Sequence, residues 1–566
     1  MISEKLIMGI WDGHDAGVAF ISGNKVLFAA NEERFSRLKL DVSFPHLAIR
    51  AGLDYLKIEP QEIKTVAFST TDPAKTLTRV FPATKKRYYA IRRKKTAPGK
   101  LTGISRWLKY FLTELKPNML SRKISRSNVL GNLRKSAINP EKLLAFDHHW
   151  CHMTGAYATS GFDDALIVSL DGIGDGLSGL VVSVKDGDFK TLHKQSGKHS
   201  LGIFFEHVTN LLNMRELEDE GKVMALADFS YAIEDSKNPL ISLFSMTDGE
   251  LKAKFNSRKM YSQLKRELWR YPLEQFAYLA QRALEYHVIG YIKFWLGRSA
   301  QNKVVFTGGI AANIKLNSKI LKLDQVEDMY VFPHMGDGGL ALGAAAAANQ
   351  KLHKEMNLDL HNAFLGPDYS NFKIKTLLEK HKLKSHRVNP ARSAAQHVAR
   401  GSIVLWYQGR MEYGPRALGH RSILALPGRK EIKDQLNLKI KKRVWYQPFC
   451  PSMLSEDAQK ILQSVKGTPN EYMTMGYWVR KKYLEEMYGV ANIDGSCRPQ
   501  IVYKHNKIYY DFLVELKQLT GLGVVLNTSL NLHGDPIVAN PKDAIEMFAK
   551  SDVNYLYIGN QLITKR

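Results

Sequence analysis

Apolar and polar positions along the chain follow two periods in turn. Between residues 6 and 31, short runs rich in β-branched and aromatic residues ("LIMGI", "GVAFIS", "KVLFAANE") are separated by turns containing Gly and Asn. Runs of this length bounded by turn residues predict a strand, a glycine-rich hairpin and further antiparallel strands. A helical stretch follows near residues 45–57. The segment "DDALIVSLDGIGDG" (163–176) repeats the opening with an apolar strand, Asp-Gly turns and a second run, "LSGLVVSV". Two such units about 160 residues apart predict an internal duplication. Residues 273–298 read as one long helix. "VVFTGGIAANIKLNSKI" (304–320) predicts a buried strand, a Gly-Gly turn and a helix, and "YVFPHMGDGGLALGAAAAANQ" (330–350) a strand, a Gly-rich turn and an Ala-rich helix. The pattern breaks around 356–375, where a second α/β region begins. The expected fold class is α/β, with domains at 1–355 and 363–566.

Length and composition narrow the class. A chain of 566 residues exceeds what one core supports, and 44% hydrophobic with 24% charged residues is ordinary for a folded soluble protein. No apolar run reaches the ~18 residues of a membrane span. The start, "MISEKLIMGIWDG", lacks the basic, apolar and small-residue order of an export signal. Cys151, Cys450 and Cys497 make no disulfide framework, which fits a reducing cytoplasm. The sequence does not separate a monomer from a homodimer.

Charge changes this picture. The chain carries 81 Lys+Arg against 55 Asp+Glu, a formal +26. Between residues 75 and 142 there are 19 Lys/Arg and two acids, Glu114 and Glu141, a net +17. This basic insertion includes "KKRYYAIRRKK" (85–95) and "SRWLKYF" (105–111). Lys85, Lys86, Arg87, Arg92, Arg93, Lys94 and Lys95, interleaved with Tyr88, Tyr89, Trp107 and Tyr110, suit phosphate contact with base stacking. An anionic membrane surface and a solvated insertion are the competing readings.

The candidate chemistry lies in glycine-rich turns and one histidine cluster. Four turns share a form: "WDGHDAG" (11–17), "LDGIGDG" (170–176), "TGGIAAN" (307–313) and "HMGDGG" (334–339). Turns of this kind between strand and helix let backbone N–H groups approach phosphate. They make Asp12, Gly13, Gly172, Gly308, Gly309, Asn313, Gly336 and Gly338 the candidate nucleotide-binding residues. Neither a Walker A sequence nor an early G-x-G-x-x-G is present. The combined pattern resembles the actin-like ATPase superfamily, whose two related halves clasp a nucleotide. In "DHHWCH" (147–152), a helix would put His148 and His152 on one face, four residues apart. Such a pair either packs or chelates an ion. With Asp171 and Asp337 from the turns, it forms a mixed set that suits Fe(II), Mn(II) or Mg(II) better than structural zinc. His149 packs or binds phosphate, and Cys151 reads as a helix-packing residue.

The motifs "EERFSRLKLDVSFPHLAI", "DHHWCHMTGAY", "SLDGIGDG", "EGKVMALA", "TGGIAANIKLN", "FPHMGDGGLALGAA", "GRMEYGPRALGHRSILA" and "NTSLNLHGDPIV" together resemble the O-carbamoyltransferase family, which includes NodU-type and tobramycin carbamoyltransferases. The resemblance implies an N-terminal domain like the threonylcarbamoyl-transferring ATPases and a YrdC-like C-terminal domain. It implies formation of carbamoyl-adenylate from carbamoyl phosphate and ATP, then transfer to a hydroxyl beside a divalent metal. His14 becomes the candidate general base, and His148, His152, Asp171 and Asp337 the metal ligands. Clustered negative charge in the donor needs fixed guanidinium forks. Arg410, Arg416, Arg421, Lys441, Arg443 and Arg498, with Asn527, Thr528 and Ser529, are the candidates for carbamoyl phosphate and adenylate. "RVWYQPFCPS" departs from the family's usual stretch at Val444 and Gln447, and Cys497 and Pro499 are unusual within "GSCRPQ".

The insertion bears on the acceptor. A hydroxymethylated base in DNA, such as 5-hydroxymethylcytosine, would supply both the alcohol and the phosphates; a duplex base would have to be flipped out to reach a buried site. The alternatives are an antibiotic, sugar or glycolipid hydroxyl, or a non-catalytic nucleic-acid-binding protein.

Overall fold

The structure, a computed structural model, describes residues 5–99, 111–464, 466–467 and 470–565. Trp107 and Tyr110 of the basic insertion lie outside the described residues. The chain divides into two compact units, one of residues 1–32 and 40–361 and one of residues 33–39 and 362–566.

The first unit holds two five-stranded sheets of the same design. β1 (Leu6–Trp11), β2 (Gly17–Ser22), β3 (Lys25–Asn31), β4 (Thr65–Ser69) and β5 (Lys142–Phe146) lie in the order β3-β2-β1-β4-β5. β1 and β2 are antiparallel, as are β2 and β3, whereas β1 runs parallel to β4 and β4 to β5. β6 (Ala165–Gly174), β7 (Leu177–Lys185), β8 (Asp188–Ser196), β11 (Lys303–Thr307) and β12 (Asp328–Val331) repeat that order and those directions, with β6 in the place of β1. The intervening β9 (Phe244–Thr247) and β10 (Glu250–Ala253) form a separate hairpin. β1 is buried along its whole length, as a strand covered on both faces must be.

Two helices of this unit meet through small residues. Helix Leu340–His353 crosses helix His148–Ala158 at Gly343, where a Cβ would come 1.9 Å from the Cys151 carbonyl oxygen. Thr154 Oγ1 donates to the Gly343 carbonyl across this contact at 2.8 Å. Cys151 is fully buried in the crossing, a packing residue.

The second unit is an eight-stranded sheet running, in order, His386–Arg387, Gln561–Thr564, Tyr555–Ile558, Val404–Tyr407, Arg421–Ala425, Val524–Ser529, Cys450–Leu454 and Gln500–Val502. Helices Pro390–Ala399 and Lys507–Thr520 cover a core that includes Trp406, Phe512, Leu513 and Tyr557. The segment 33–39, "ERFSRLK", belongs to this unit although its neighbours in sequence belong to the first. Arg34 Nη2 donates to the Gly414 carbonyl at 2.7 Å, and Arg37 donates to the carbonyls of Pro536 and Ile537 at 2.9 and 2.8 Å.

Candidate metal centre and anion-binding cluster

The histidine helix begins at His148, whose N–H finds an acceptor elsewhere in the chain. Asp147 at the N-cap makes no side-chain cap, and Asp175 supplies the carboxylate instead: Oδ2 accepts from the His148 N–H at 2.7 Å, and Oδ1 from Thr71 and Asp72, both at 2.9 Å. Burial, then the neighbouring Asp72 carboxylate, pushes Asp175 up to about 7. Thr70, held at φ 68°, hydrogen-bonds His148 Nδ1 at 3.0 Å and so turns Nε2 towards the turns. A Cβ at Gly174 would lie 2.2 Å from the His148 ring, so this position is closed to any other residue. Thr70, Asp72 and Asp175 carry no motif of their own; the second Asp of "LDGIGDG" was the available signal.

Asp171 reaches the same place through a break in the β6–β7 ladder, whose register shifts between Leu170 and Gly174. Such irregularities release a side chain from strand alternation and re-aim it. The Gly309 N–H donates to Asp171 Oδ1 at 2.7 Å, leaving Oδ2 turned to the histidines. Asp337 arrives from the short turn that precedes helix Leu340–His353.

One ligand atom from each of His148, His152, Asp171 and Asp337 lies within 4.8 Å of all the others. His148 Nε2 is 3.1 Å from Asp171 and 3.5 Å from Asp337; His152 Nε2 is 3.7 and 3.4 Å from the same carboxylates. His152 Nε2 is buried without a hydrogen-bond partner. Burial would depress the His152 imidazole, but the two carboxylates hold it up at about 9. Asp171 is held well below its ordinary range by both histidines against the effect of burial, and Asp337 is lowered by His14 and His148. A buried nest of two imidazoles and two carboxylates, with one imidazole nitrogen unsatisfied, fits a divalent cation. His149 does not take part: Ser169 and the Leu177 carbonyl occupy its two nitrogens at 2.9 and 3.1 Å.

His14 Nδ1 is 3.3 Å from Asp337 Oδ2, with 22% of the side chain exposed. Burial, partly offset by Asp337 and reinforced by Arg93 and Arg92, lowers this imidazole to about 4, so it is neutral at neutral pH.

Several of the nucleotide candidates bond within the first unit. Asp12 is not an open ligand, because Arg79 grips its carboxylate with two bonds of 2.9 Å, Lys75 sits 2.9 Å away, and Lys85 Nζ donates to its carbonyl at 2.8 Å. A Cβ at Gly13 would strike the Trp11 ring. The Gly308 N–H donates to the Met335 carbonyl at 2.9 Å, and the Gly309 N–H is committed to Asp171. Asn313 caps helix Ile314–Leu321 and donates to Gln281. The Gly172 and Gly338 carbonyls accept from Ser200 and Asn31. Gly336 accepts from the Gly339 N–H, and a Cβ there would meet nothing within 4 Å.

The basic insertion also differs from a surface patch. Lys85, Arg92 and Arg93 point inward, with Arg92 paired to Glu206 and Glu216 and Arg93 3.9 Å from Glu218. A buried cation must find a counter-charge, and Arg92 and Arg93 find theirs within the first unit, where Lys85 donates to the Asp12 carbonyl. Lys86, Arg87, Lys94 and Lys95 are exposed.

In the second unit, Arg416, Arg443 and Arg498 gather around Cys450. Arg498 Nη2 and Nε lie 3.0 and 3.2 Å from Cys450 Sγ. Burial and then Arg498 lower Arg416 to about 9. Burial lowers Arg443 to about 10; Cys450 opposes this and Arg498 adds to it. Guanidinium groups crowded so closely against a thiol make a site for an anion. Lys441, also lowered by burial and Arg443, reaches Ser529 and Asn531. Asn527 donates to the Ala417 carbonyl at 3.1 Å, while Thr528 and Ser529 are half-buried at the end of the same strand. Two predicted members have other partners. Arg410 donates to the carbonyls of Leu365 and Gly366, and Arg421 is fully buried against the Tyr407 ring at 3.7 Å. Val444 accepts from the Gln447 N–H within one turn.

Known proteins bear on these two constellations. The family description "Carbamoyltransferase N-terminus" matches residues 6–346, and "Carbamoyltransferase C-terminus" matches residues 395–565. Uncharacterized protein MJ1051 of Methanocaldococcus jannaschii is 32% identical, covering 99% of this chain and 100% of its own. Nodulation protein NolO of Bradyrhizobium diazoefficiens is 33% identical over 74% of this chain and 79% of its own. Nodulation protein NolNO of Sinorhizobium fredii is 28% identical over 98% of this chain and 79% of its own. Full-length HypF in its phosphate- and nucleotide-bound form aligns with 62% of this chain and 56% of its own at a TM-score of 0.31 and 12% identity, too distant a likeness to bear on the site. With both family regions matched along the chain and protein MJ1051 aligned nearly end to end, the protein belongs to the O-carbamoyltransferase family and is a carbamoyltransferase.

Proposed function

We propose that the second unit, as a YrdC-like domain, makes carbamoyl-adenylate from carbamoyl phosphate, water and ATP with release of phosphate and pyrophosphate, and that the first, as a duplicated actin-like domain, passes the carbamoyl group to an acceptor hydroxyl. The observation that carries this reading is the convergence of His148, His152, Asp171 and Asp337 beside a neutral His14. Those four residues would hold a divalent cation, with Fe(II) favoured by the mixed donor set and Mg(II) or Mn(II) as alternatives. When bound, such an ion would supply Lewis-acid polarisation of the carbamoyl oxygen. His14 accepts the hydroxyl proton as the acceptor oxygen bonds to the carbamoyl carbon. The bond from that carbon to the AMP phosphate oxygen then breaks, and AMP leaves with the electron pair. In the second unit, Arg416, Arg443, Arg498 and Lys441 hold the anionic donor, and Thr528 and Ser529 offer hydroxyl donors.

For the acceptor, the inward turn of Lys85, Arg92 and Arg93 leaves four of the seven named cations for an extended polyanion. That favours a sugar, antibiotic or glycolipid hydroxyl over a hydroxymethylated base in DNA. The test incubates the protein with ATP, carbamoyl phosphate, Fe(II) or Mg(II) and a panel of these acceptors, read by mass spectrometry for the gain of one carbamoyl group. AMP formation that ignores carbamoyl phosphate overturns the proposal.

A further inference from the structure

We infer that residues 111–124 and the outer face of helix Met119–Lys135 dock the protein on an anionic lipid surface. The helix is firmly seated. Its N-terminus is closed by a capping box between Asn118 and Ser121, and Ser121, Ser125, Val129 and Leu133 form its buried stripe. Ser125 hydrogen-bonds Thr76 at 2.8 Å, and Asn128 Nδ2 donates to the Arg79 carbonyl at 3.1 Å. The preceding segment is tied down as well, since the Gly176 N–H donates to the Thr113 carbonyl at 3.1 Å. What this rigid element turns outward is unusual for a soluble surface. Met119 is 90% and Leu120 67% exposed, with Phe111, Leu115 and Ile124 beside them in sequence and also exposed.

The charge around these side chains identifies the partner. Lys116, Arg122, Lys123, Arg126, Arg134 and Lys135 are all exposed, and no acidic residue occurs between Lys116 and Pro140. Arg122 lies 3.8 Å from Asp147, an exposed pair worth little in water. Aliphatic side chains inserting at the acyl boundary, ringed by cations at the headgroups, are what an anionic bilayer surface binds. A second copy of the chain is disfavoured, because it would bring this predominantly cationic face against itself. A nucleic acid would use the cations and leave Met119 and Leu120 in water.

Flotation of the full chain with vesicles tests this. The protein is expected to float with vesicles of phosphatidylcholine plus phosphatidylglycerol, to float less with phosphatidylcholine alone, and to release as salt rises. Met119→Glu with Leu120→Glu, and separately Lys123→Glu with Arg126→Glu, should each weaken binding by about tenfold or more. Unchanged thermal melts would show that both variants fold. Absence of flotation overturns the inference, as do variants that float like the parent. So does loss of oligonucleotide binding in these variants without any vesicle binding, or a dimer in sedimentation that the variants dissociate.

Discussion

The Tyr89 ring sits 5.6 Å from the His14 ring, centroid to centroid, with their planes tilted by 38°. Arg93 lies on Tyr89 in turn, its guanidinium carbon 5.5 Å from the ring centre. The basic insertion thus builds part of the wall around the proposed base. That wall is why His14 is neutral well below pH 7: burial dominates, and Arg93 and Arg92 add to it. His14→Ala should lower carbamoyl transfer by about 10²–10⁴-fold. Carbamoyl-phosphate-dependent turnover of ATP should persist, measured as pyrophosphate release; parallel loss of both would place His14 elsewhere in the reaction.

Asp171→Asn should remove bound divalent metal, since one of four converging ligands loses its charge while the fold of the strand is kept. Elemental analysis of the purified protein reads the result, with the parent as reference. Chelation of the parent should lower its melting temperature, and the same treatment should leave the variant's unchanged.

Asp175 is not itself a ligand, yet Asp175→Ala strips the acceptor from three backbone N–H groups, including that of His148. Leaving these groups unpaired should cost about 2–4 kcal/mol of stability. Metal affinity should fall by about 10–100-fold because the His148 helix loses its anchor. Denaturant unfolding and metal titration, run on the same preparation, measure both.

Arg498→Ala should abolish carbamoyl-phosphate-dependent pyrophosphate release by the second unit and leave the metal content intact. Arg498→Lys should rescue poorly, because one ammonium cannot reproduce two parallel guanidinium bonds. If the lysine variant is as active as the parent, the fork geometry at Cys450 has no role in donor binding.

Glu32 gives a pH signature. Its carboxylate is buried and accepts from the N–H groups of Leu47 and Ala48 at 3.0 and 2.7 Å, yet burial raises it from 4.5 to about 7. A carboxyl raised by folding contributes its stability below the unfolded value and loses it as pH rises through the folded one. Stability should therefore fall between about pH 4.5 and 7 by up to about 3 kcal/mol from this group. Glu32→Gln should flatten that slope in urea unfolding at several pH values.

What the sequence made legible follows from local periodicity. The long helix read at 273–298 runs from Leu273 to Ser299, and the four-residue spacing of His148 and His152 lies on a helix. The two Asp-Gly hairpins mark two sheets of one order. Less legible was anything set by the direction of a side chain after long-range packing. Charge density alone could not tell that Arg92 and Arg93 turn inward to glutamates more than 100 residues away, or that Asp12 is already neutralised by Arg79. Nor could a Gly-Gly turn reveal that its second N–H is aimed at Asp171. Arg410 and Arg421 look like Arg416 in sequence and differ only in what surrounds them.

The heptapeptide "ERFSRLK" sets a limit on dissection. A fragment begun at residue 362 would carry the carbonyls of Gly414, Pro536 and Ile537 without the guanidinium groups of Arg34 and Arg37 that occupy them. Splitting the gene at the obvious linker would thus yield a C-terminal piece with a hole in its wall. A synthetic peptide of residues 33–39 supplied in trans, or a permuted gene that appends it, would be the natural repair.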